Sequence, residues 1–193
     1  MNIKQLLITR RSCRQFCQEK KIAPEILHEI AESQRYASCS RNLQTLRYIV
    51  VSKPETVEKI FLQTAWGGRL ANGAGRPKSG QHPVAFIIVL DDTSEKNPRS
   101  DINFGLAVSN ITLTAWGYGI ASCIIGNICR AEIKTILNIP DNLKIIAAIS
   151  LGYPKQTIEI EDIHIGEDQS YRLEGDKMVV PKLVCEDTVH YVE

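Results

Sequence analysis

The chain is nearly without net charge: Lys+Arg 23 stand against Asp+Glu 22, which leaves +1. A protein that grips a polyanion carries a basic face broad enough to neutralise many phosphates, and no long basic stripe is present. Nucleic acid is therefore not expected as a partner. An apolar run long enough to span a bilayer is also missing. The first ten residues, MNIKQLLITR, are amphipathic, unlike the uninterrupted apolar stretch of a signal peptide. These absences give the expectation of a soluble cytoplasmic protein that does not enter membranes.

Metal and disulfide signatures are lacking as well. The six cysteines (Cys13, Cys17, Cys39, Cys123, Cys129, Cys185) contain no Cys-x-x-Cys pair, and His28, His82, His164 and His190 are scattered. Reduced thiols are expected, not a disulfide framework or a zinc or iron–sulfur centre. No Ser-His-Asp or nucleophile-elbow signature occurs. Two glycine motifs fail on context. In Gly75-Arg-Pro-Lys-Ser-Gly80, Gln81 and His82 stand where a phosphate loop needs Lys and Ser/Thr, and a strand follows instead of a helix. Gly117-Tyr118-Gly119 follows a helix and ends at Ser122, whereas a dinucleotide fingerprint needs strand, turn and helix in that order. Both are read as turns.

What stands out is the opening segment, where Arg10, Arg11 and Arg14 flank Ser12 and Cys13. Guanidinium groups present a planar fork of donors that suits phosphate, and a serine adds a short donor of adjustable direction. Taken alone the cluster is either a solvated basic turn or a seat for one phosphate. With 193 residues and 44% hydrophobic content, the chain can bury a substantial core as one domain.

Residues 24 to 37 open with Pro24 and put Ile26, Leu27, Ile30 and Ala31 on one face, which predicts a helix. Leu46 to Val51 reads as a strand, and Pro54 begins a helix carrying Val57, Ile60 and Phe61. Val84 to Leu90 is almost wholly apolar, a strand buried on both faces. Asp101 is read as the N-cap of the longest helix, apolar over much of its circumference and so expected to be central. A shorter helix follows Arg130, and Pro140 precedes a strand from Ile145 to Leu151. After Gly152 the pattern loosens into a charged tail, with little apolar periodicity from which to build a core.

Four segments together resemble the nitroreductase family of flavin mononucleotide (FMN) enzymes, over nearly the whole chain. They are Arg10-Arg-Ser-Cys-Arg-Gln-Phe16, Ala37-Ser-Cys-Ser-Arg-Asn-Leu-Gln44, the long helix with Ala121-Ser-Cys-Ile-Ile-Gly126, and Leu137-Asn-Ile-Pro140 followed by Leu151-Gly-Tyr-Pro154 and Val180-Pro-Lys182. Four positions depart from the family pattern. Ser38 stands for a usual proline, Cys39 for a serine, and Thr45 and Leu46 for Pro-Trp. A contact made by the serine hydroxyl then passes to the weaker donor Cys39 or to Ser40.

The resemblance implies an α+β fold, with a central, mostly antiparallel sheet flanked by helices, as a single domain over 1–193. Its extended tail, residues 152–193, crosses to the partner subunit. It implies a homodimer with FMN at the subunit interface. Arg10, Ser12 and Arg14 clasp the phosphate and ribityl chain, and Arg11 assists or faces solvent. Residues 38 to 42 (Ser38, Cys39, Ser40, Asn42), with Gln44, touch the flavin held mainly by the other protomer, although Asn42 and Gln44 can equally cap their loop. Ile125 and Gly126 approach the flavin ring, where a glycine permits close contact. Lys182 either nears the phosphate or is a solvated tail lysine. Trp66 either contacts the isoalloxazine ring or packs in the core; from composition alone, the glycine-rich stretch that follows it through Gly80 is expected to form a mobile lip over the substrate channel.

The implied activity is NAD(P)H oxidoreduction. A reduced nicotinamide delivers hydride to flavin N5, then leaves for an electron-poor acceptor such as a nitroaromatic or quinone. No catalytic side chain is assigned. Arg69, Arg76 or Lys78 could serve a preference for NADPH. Two alternatives stay open: the same flavin fold with specialised chemistry (dehalogenation, dehydrogenation or flavin breakdown), and a non-enzymatic module for a phosphorylated metabolite.

Overall fold

The computed structural model describes residues 2–70, 73–175 and 177–193. The chain begins with helix α1 (Ile3–Thr9) and helix α2 (Pro24–Glu32), which a 3₁₀ turn over Ser33–Tyr36 prolongs. A second 3₁₀ turn, Ser40–Asn42, leads into strand β1 (Leu46–Val51), helix α3 (Pro54–Leu62) and strand β2 (Ala85–Asp92). Helix α4 (Ser100–Gly117), strand β3 (Ala121–Ile125), helix α5 (Arg130–Leu137) and strand β4 (Leu143–Gly152) follow. Strands β5 (Thr157–Ile163), β6 (Arg172–Glu174) and β7 (Lys177–Leu183) complete the chain with a short helix, α6 (Cys185–Thr188). Among the described residues no helix is long and apolar enough to cross a membrane.

Strands β1 to β4 form one antiparallel sheet in the order β1-β2-β4-β3. Successive side chains of a strand point to opposite faces, so each central strand serves two cores. Phe86, Ile88 and Leu90 of β2 join Val57, Ile60 and Phe61 of α3 and Ile133 of α5 on one face. Ala85, Ile87 and Val89 join Leu27 and Ile30 of α2 and Val108, Ile111 and Ala115 of α4 on the other. Helices on both faces explain why β2 has no polar alternation. The architecture is α+β, as the sequence implied.

Three expectations are corrected. Asp101 lies inside α4 instead of capping it; Arg99 occupies the cap position and makes no side-chain cap bond. Helix α4 is not enclosed on all sides: Ala107, Val108, Ile111 and Ala115 are buried, while Ile102 and Leu106 are 53% and 42% exposed. The tail forms regular structure with buried apolar side chains. Strands β5 and β7 pair in parallel, β6 joins β7, and Ile163, Met178 and Val179 are buried. Cross-strand ion pairs, Arg172 with Glu161 at 2.6 Å and Lys177 with Glu159 at 2.8 Å, line the outside of this small sheet.

The opening segment is strapped across the ends of β3 and β4. Cys13 N–H donates to Ser122 C=O at 2.9 Å, Cys17 N–H to Tyr153 C=O at 2.8 Å, and Lys155 N–H to Gln15 C=O at 2.9 Å. Phe16, fully buried, lies against Gly152; a Cβ added there would sit 2.9 Å from both Phe16 Cβ and Cδ1. These atoms are the stem of an enclosed ring, so neither can swing away. Gly152→Ala is expected to destabilise the protein by about 1–3 kcal/mol through overpacking. Urea unfolding monitored by circular dichroism checks this, and an unchanged midpoint would contradict it.

Candidate functional site

The three opening arginines have separate fates. Arg11 Nη2 donates to the carbonyls of Leu7 and Ile8 at 2.8 and 2.6 Å, so its head caps the C-terminal end of α1. Burial, and then the neighbouring Arg10, lower its pKa from the usual guanidinium value. The side chains of Arg10 and Arg11 each carry a buried Nε without a hydrogen-bond partner among the described residues. Arg14 stacks its guanidinium 4.6 Å from the Tyr171 ring centre, and its backbone N–H donates to Gln156 Oε1 at 3.1 Å. Ser12 is exposed and bridges to Ser122.

Arg14 lines a cleft of about 180 Å³ together with Trp66, Gly67, Ile125, Gly126 and Tyr171. The end of β3 thus meets the opening segment, because both leave the same edge of the sheet. A Cβ built on Gly126 meets nothing within 4 Å, so this stretch of backbone borders open space. Its carbonyl accepts from Arg130 Nη2 at 3.1 Å, while Arg130 also donates to the carbonyls of Ile145 and Ile146 at 3.0 and 2.9 Å. Ala65 N–H donates to Asn127 C=O at 3.0 Å, fixing the loop from its other side. Trp66 belongs mainly to the core: it is buried against Phe16 and Phe61, and its indole N–H donates to Thr64 Oγ1 at 2.7 Å.

Ser38, Cys39, Asn42 and Gln44 line a different cleft, also about 180 Å³, floored by Tyr48 and Asn103. The two clefts have no lining residue in common. Ser40 is tied behind the second one, its N–H donating to Asn103 Oδ1 at 2.9 Å. Arg41 and Asn42 adopt φ of 56° and 54°, left-handed values that side chains other than glycine take up at a cost of order 1 kcal/mol each. The structure holds that bend from α4 and the loop before it, where Asn97 Nδ2 donates to Leu43 C=O at 3.2 Å.

Lys182 lies on β7 in register with Asp162 and lines neither cleft. The stretch from 66 to 81 is fastened at its base: Gly67 (φ 58°) presses on Gly75, where an added Cβ would be 2.6 Å from the other's Cα. Arg76 Nη1 donates to Thr64 C=O at 2.8 Å. Ala71 and Asn72, within that stretch, lie outside the described residues. Sequence reasoning missed Arg130, Tyr171, Tyr48 and Asn103. Only Arg130 left a trace, as the residue before the shorter helix.

Burial, offset in part by Arg14, pushes the Cys123 thiol from an ordinary 9.0 up to about 11. The folded state therefore keeps a proton that the unfolded chain releases above pH 9. Stability from this group is complete below pH 9 and is lost as pH rises towards 11, by up to about 3 kcal/mol. Denaturant titrations at pH 8 and pH 10.5 are expected to show a fall that Cys123→Ala reduces. Identical falls in the two proteins would contradict the assignment.

The profile of the nitroreductase family matches residues 7–153. A protein from Archaeoglobus fulgidus, provisionally named an NADH dehydrogenase/NAD(P)H nitroreductase, is 28% identical over 156 residues, which cover 78% of this chain and 84% of that protein. The crystal structure of a nitroreductase family protein from Clostridium novyi NT superposes with a TM-score of 0.68 at 24% identity, covering 80% of this chain and 88% of its own. An FMN-dependent nitroreductase from Clostridium difficile R20291 gives a TM-score of 0.70 at 22% identity and covers 99% of each chain. With its sheet, strapped opening segment and matched profile, the chain belongs to the nitroreductase family.

Proposed function

We propose that the chain is an FMN-dependent NAD(P)H oxidoreductase acting as a homodimer, with each flavin between the first cleft of one copy and the second cleft of the other. One observation carries this reading. Of the residues expected at the flavin, Arg14, Trp66, Ile125 and Gly126 line one cleft of about 180 Å³, and Ser38, Cys39, Asn42 and Gln44 line another with no residue in common, while Arg10 and Ser12 line neither. Each cleft is smaller than the roughly 300–1,000 Å³ that encloses a drug-sized ligand. A second copy would join the two halves.

The surface supports such a partner. Helix α1 exposes Ile3, Leu7 and Ile8, and α4 exposes Ile102 and Leu106, so two neighbouring helices offer apolar faces that the chain does not cover. In the tail sheet β5 and β6 are edges, through which the C-terminal region would reach the second copy. The names of the Archaeoglobus and Clostridium difficile proteins point to the same chemistry.

The residues present fit FMN. The partnerless Nε of Arg10, the stacked guanidinium of Arg14 and the exposed hydroxyl of Ser12 would hold the phosphate and ribityl chain. Open space beside Gly126 would admit the ring edge. Bound FMN supplies two-electron chemistry, taking hydride from a reduced nicotinamide and passing it to an electron-poor acceptor. The chain's part is positioning. Arg130 fixes the peptide after Gly126, the Gly67–Gly75 contact closes the base of the neighbouring loop, and Arg14 supplies positive charge. The proposal does not rest on Lys182, and Arg11 serves as a helix cap.

Purified protein is expected to be yellow, with an absorption band that bleaches anaerobically on adding NADH or NADPH. Arg10→Ala with Arg14→Ala is expected to leave a folded protein whose FMN affinity falls at least about 100-fold, as two charge-assisted contacts are lost. A colourless wild-type protein that FMN cannot reconstitute would defeat the proposal, as would full flavin occupancy in the double variant.

A further inference from the structure

The Arg14 guanidinium is held in place without being neutralised. Its contact is the face of the Tyr171 ring, 4.6 Å from the centre, and among the described residues it forms no ion pair and donates no hydrogen bond from its side chain. The backbone N–H of the same residue is fixed separately, by Gln156 Oε1 at 3.1 Å. No Asp or Glu lines the first cleft. A carboxylate partner would occupy the donor fork and compete with an incoming anion. A ring face attracts the cation from above its plane and leaves the N–H donors unspent. Such a guanidinium is ordered yet still open to a phosphate.

The tail sets the position of that ring. Arg172, next in the chain, opens β6 and donates to both carboxylate oxygens of Glu161 on β5, at 2.6 and 2.9 Å, and to Glu174 at 3.0 Å. Just before the ring, Ser170 N–H donates to Asp168 Oδ1 at 2.9 Å. The tail is itself docked on the opening segment beside Arg14, through Gln156 and through Lys155 N–H, which donates to Gln15 C=O at 2.9 Å. Tyr171 is half-buried and lies beyond residues 7–153, the stretch that the family profile matches. Its hydroxyl accepts only a long bond, 3.4 Å from the Arg69 nitrogen. The aromatic face, not the hydroxyl, makes the close contact in the cleft.

We infer that Tyr171 is a positioning residue for the phosphate end of the flavin: its ring holds the Arg14 guanidinium in the first cleft with the donors free. This rests on the flavin reading above. Without the ring, Arg14 becomes a mobile, solvated side chain whose freedom FMN binding must then remove. Riboflavin carries the same ring system and ribityl chain without the phosphate, so it loses nothing by that change. Tyr171 thus contributes to a preference for the phosphorylated flavin.

Titration of flavin-free wild type, Tyr171→Phe and Tyr171→Ala with FMN and with riboflavin, followed by flavin fluorescence, tests this. Tyr171→Ala is expected to bind FMN about tenfold more weakly, as the loss of a cation–π contact implies, with its riboflavin affinity unchanged. Tyr171→Phe keeps the aromatic face and is expected to match the wild type for both flavins. In nuclear magnetic resonance spectra of the flavin-free proteins, the Arg14 side-chain protons are expected to be shifted upfield by the ring in the wild type and in Tyr171→Phe, but not in Tyr171→Ala. Equal FMN affinity in all three proteins would overturn the inference, as would equal losses of both flavins in Tyr171→Ala or a Phe variant no better than the Ala one. A wild type that shows the upfield shift but binds no FMN fails the flavin reading, and the phosphate role of Tyr171 with it. One that binds FMN without the shift fails this inference alone.

Discussion

Everything about the first cleft depends on the strap that residues 12 to 17 lay across the ends of β3 and β4. Backbone hydrogen bonds to Ser122, Tyr153, Lys155 and Gln81 tie it down, and Phe16 fills the place that the missing side chain of Gly152 leaves. The strap turns a run of arginines into directed groups. Arg11 falls back onto the last carbonyls of α1, while Arg14 is carried forward to Tyr171 and the end of β3. Without that seating the same residues would form the solvated basic turn that the sequence alone allowed.

The second cleft rests on a different device. A tight bend with two successive left-handed residues, Arg41 and Asn42, is held by amide side chains from α4 and the loop before it. Asn103 does this with its oxygen, from a buried position on α4. One side chain therefore ties the loop to the helix. Helix α4 shows the same economy at a larger scale, with one face in the core beneath the sheet and the other left apolar at the surface.

Much of this was legible in the residues. Pro24 and Pro54 mark helix starts because proline's fixed φ suits a first helical turn, and the apolar run of β2 announces burial on both faces. The tail was misread, although its signal was present. Ile158 and Ile160 alternate with Glu159 and Glu161, and Ile158 packs against the core. The resemblance already set residues 38 to 44 apart from the opening segment, and the two groups line clefts without a common residue, but the shape of each cleft could not be read from the sequence. The four segments gave the family; packing alone assigned Trp66 mainly to the core and Arg11 to a cap.

The central claim is that the flavin site is shared between two copies. Sedimentation velocity over a dilution series, recorded at protein and flavin wavelengths, tests it most directly. The account predicts that flavin absorbance travels only with a species of twice the 21.6 kDa chain mass, and that FMN is released as dilution yields monomer. Flavin sedimenting with the monomer at full occupancy would contradict it.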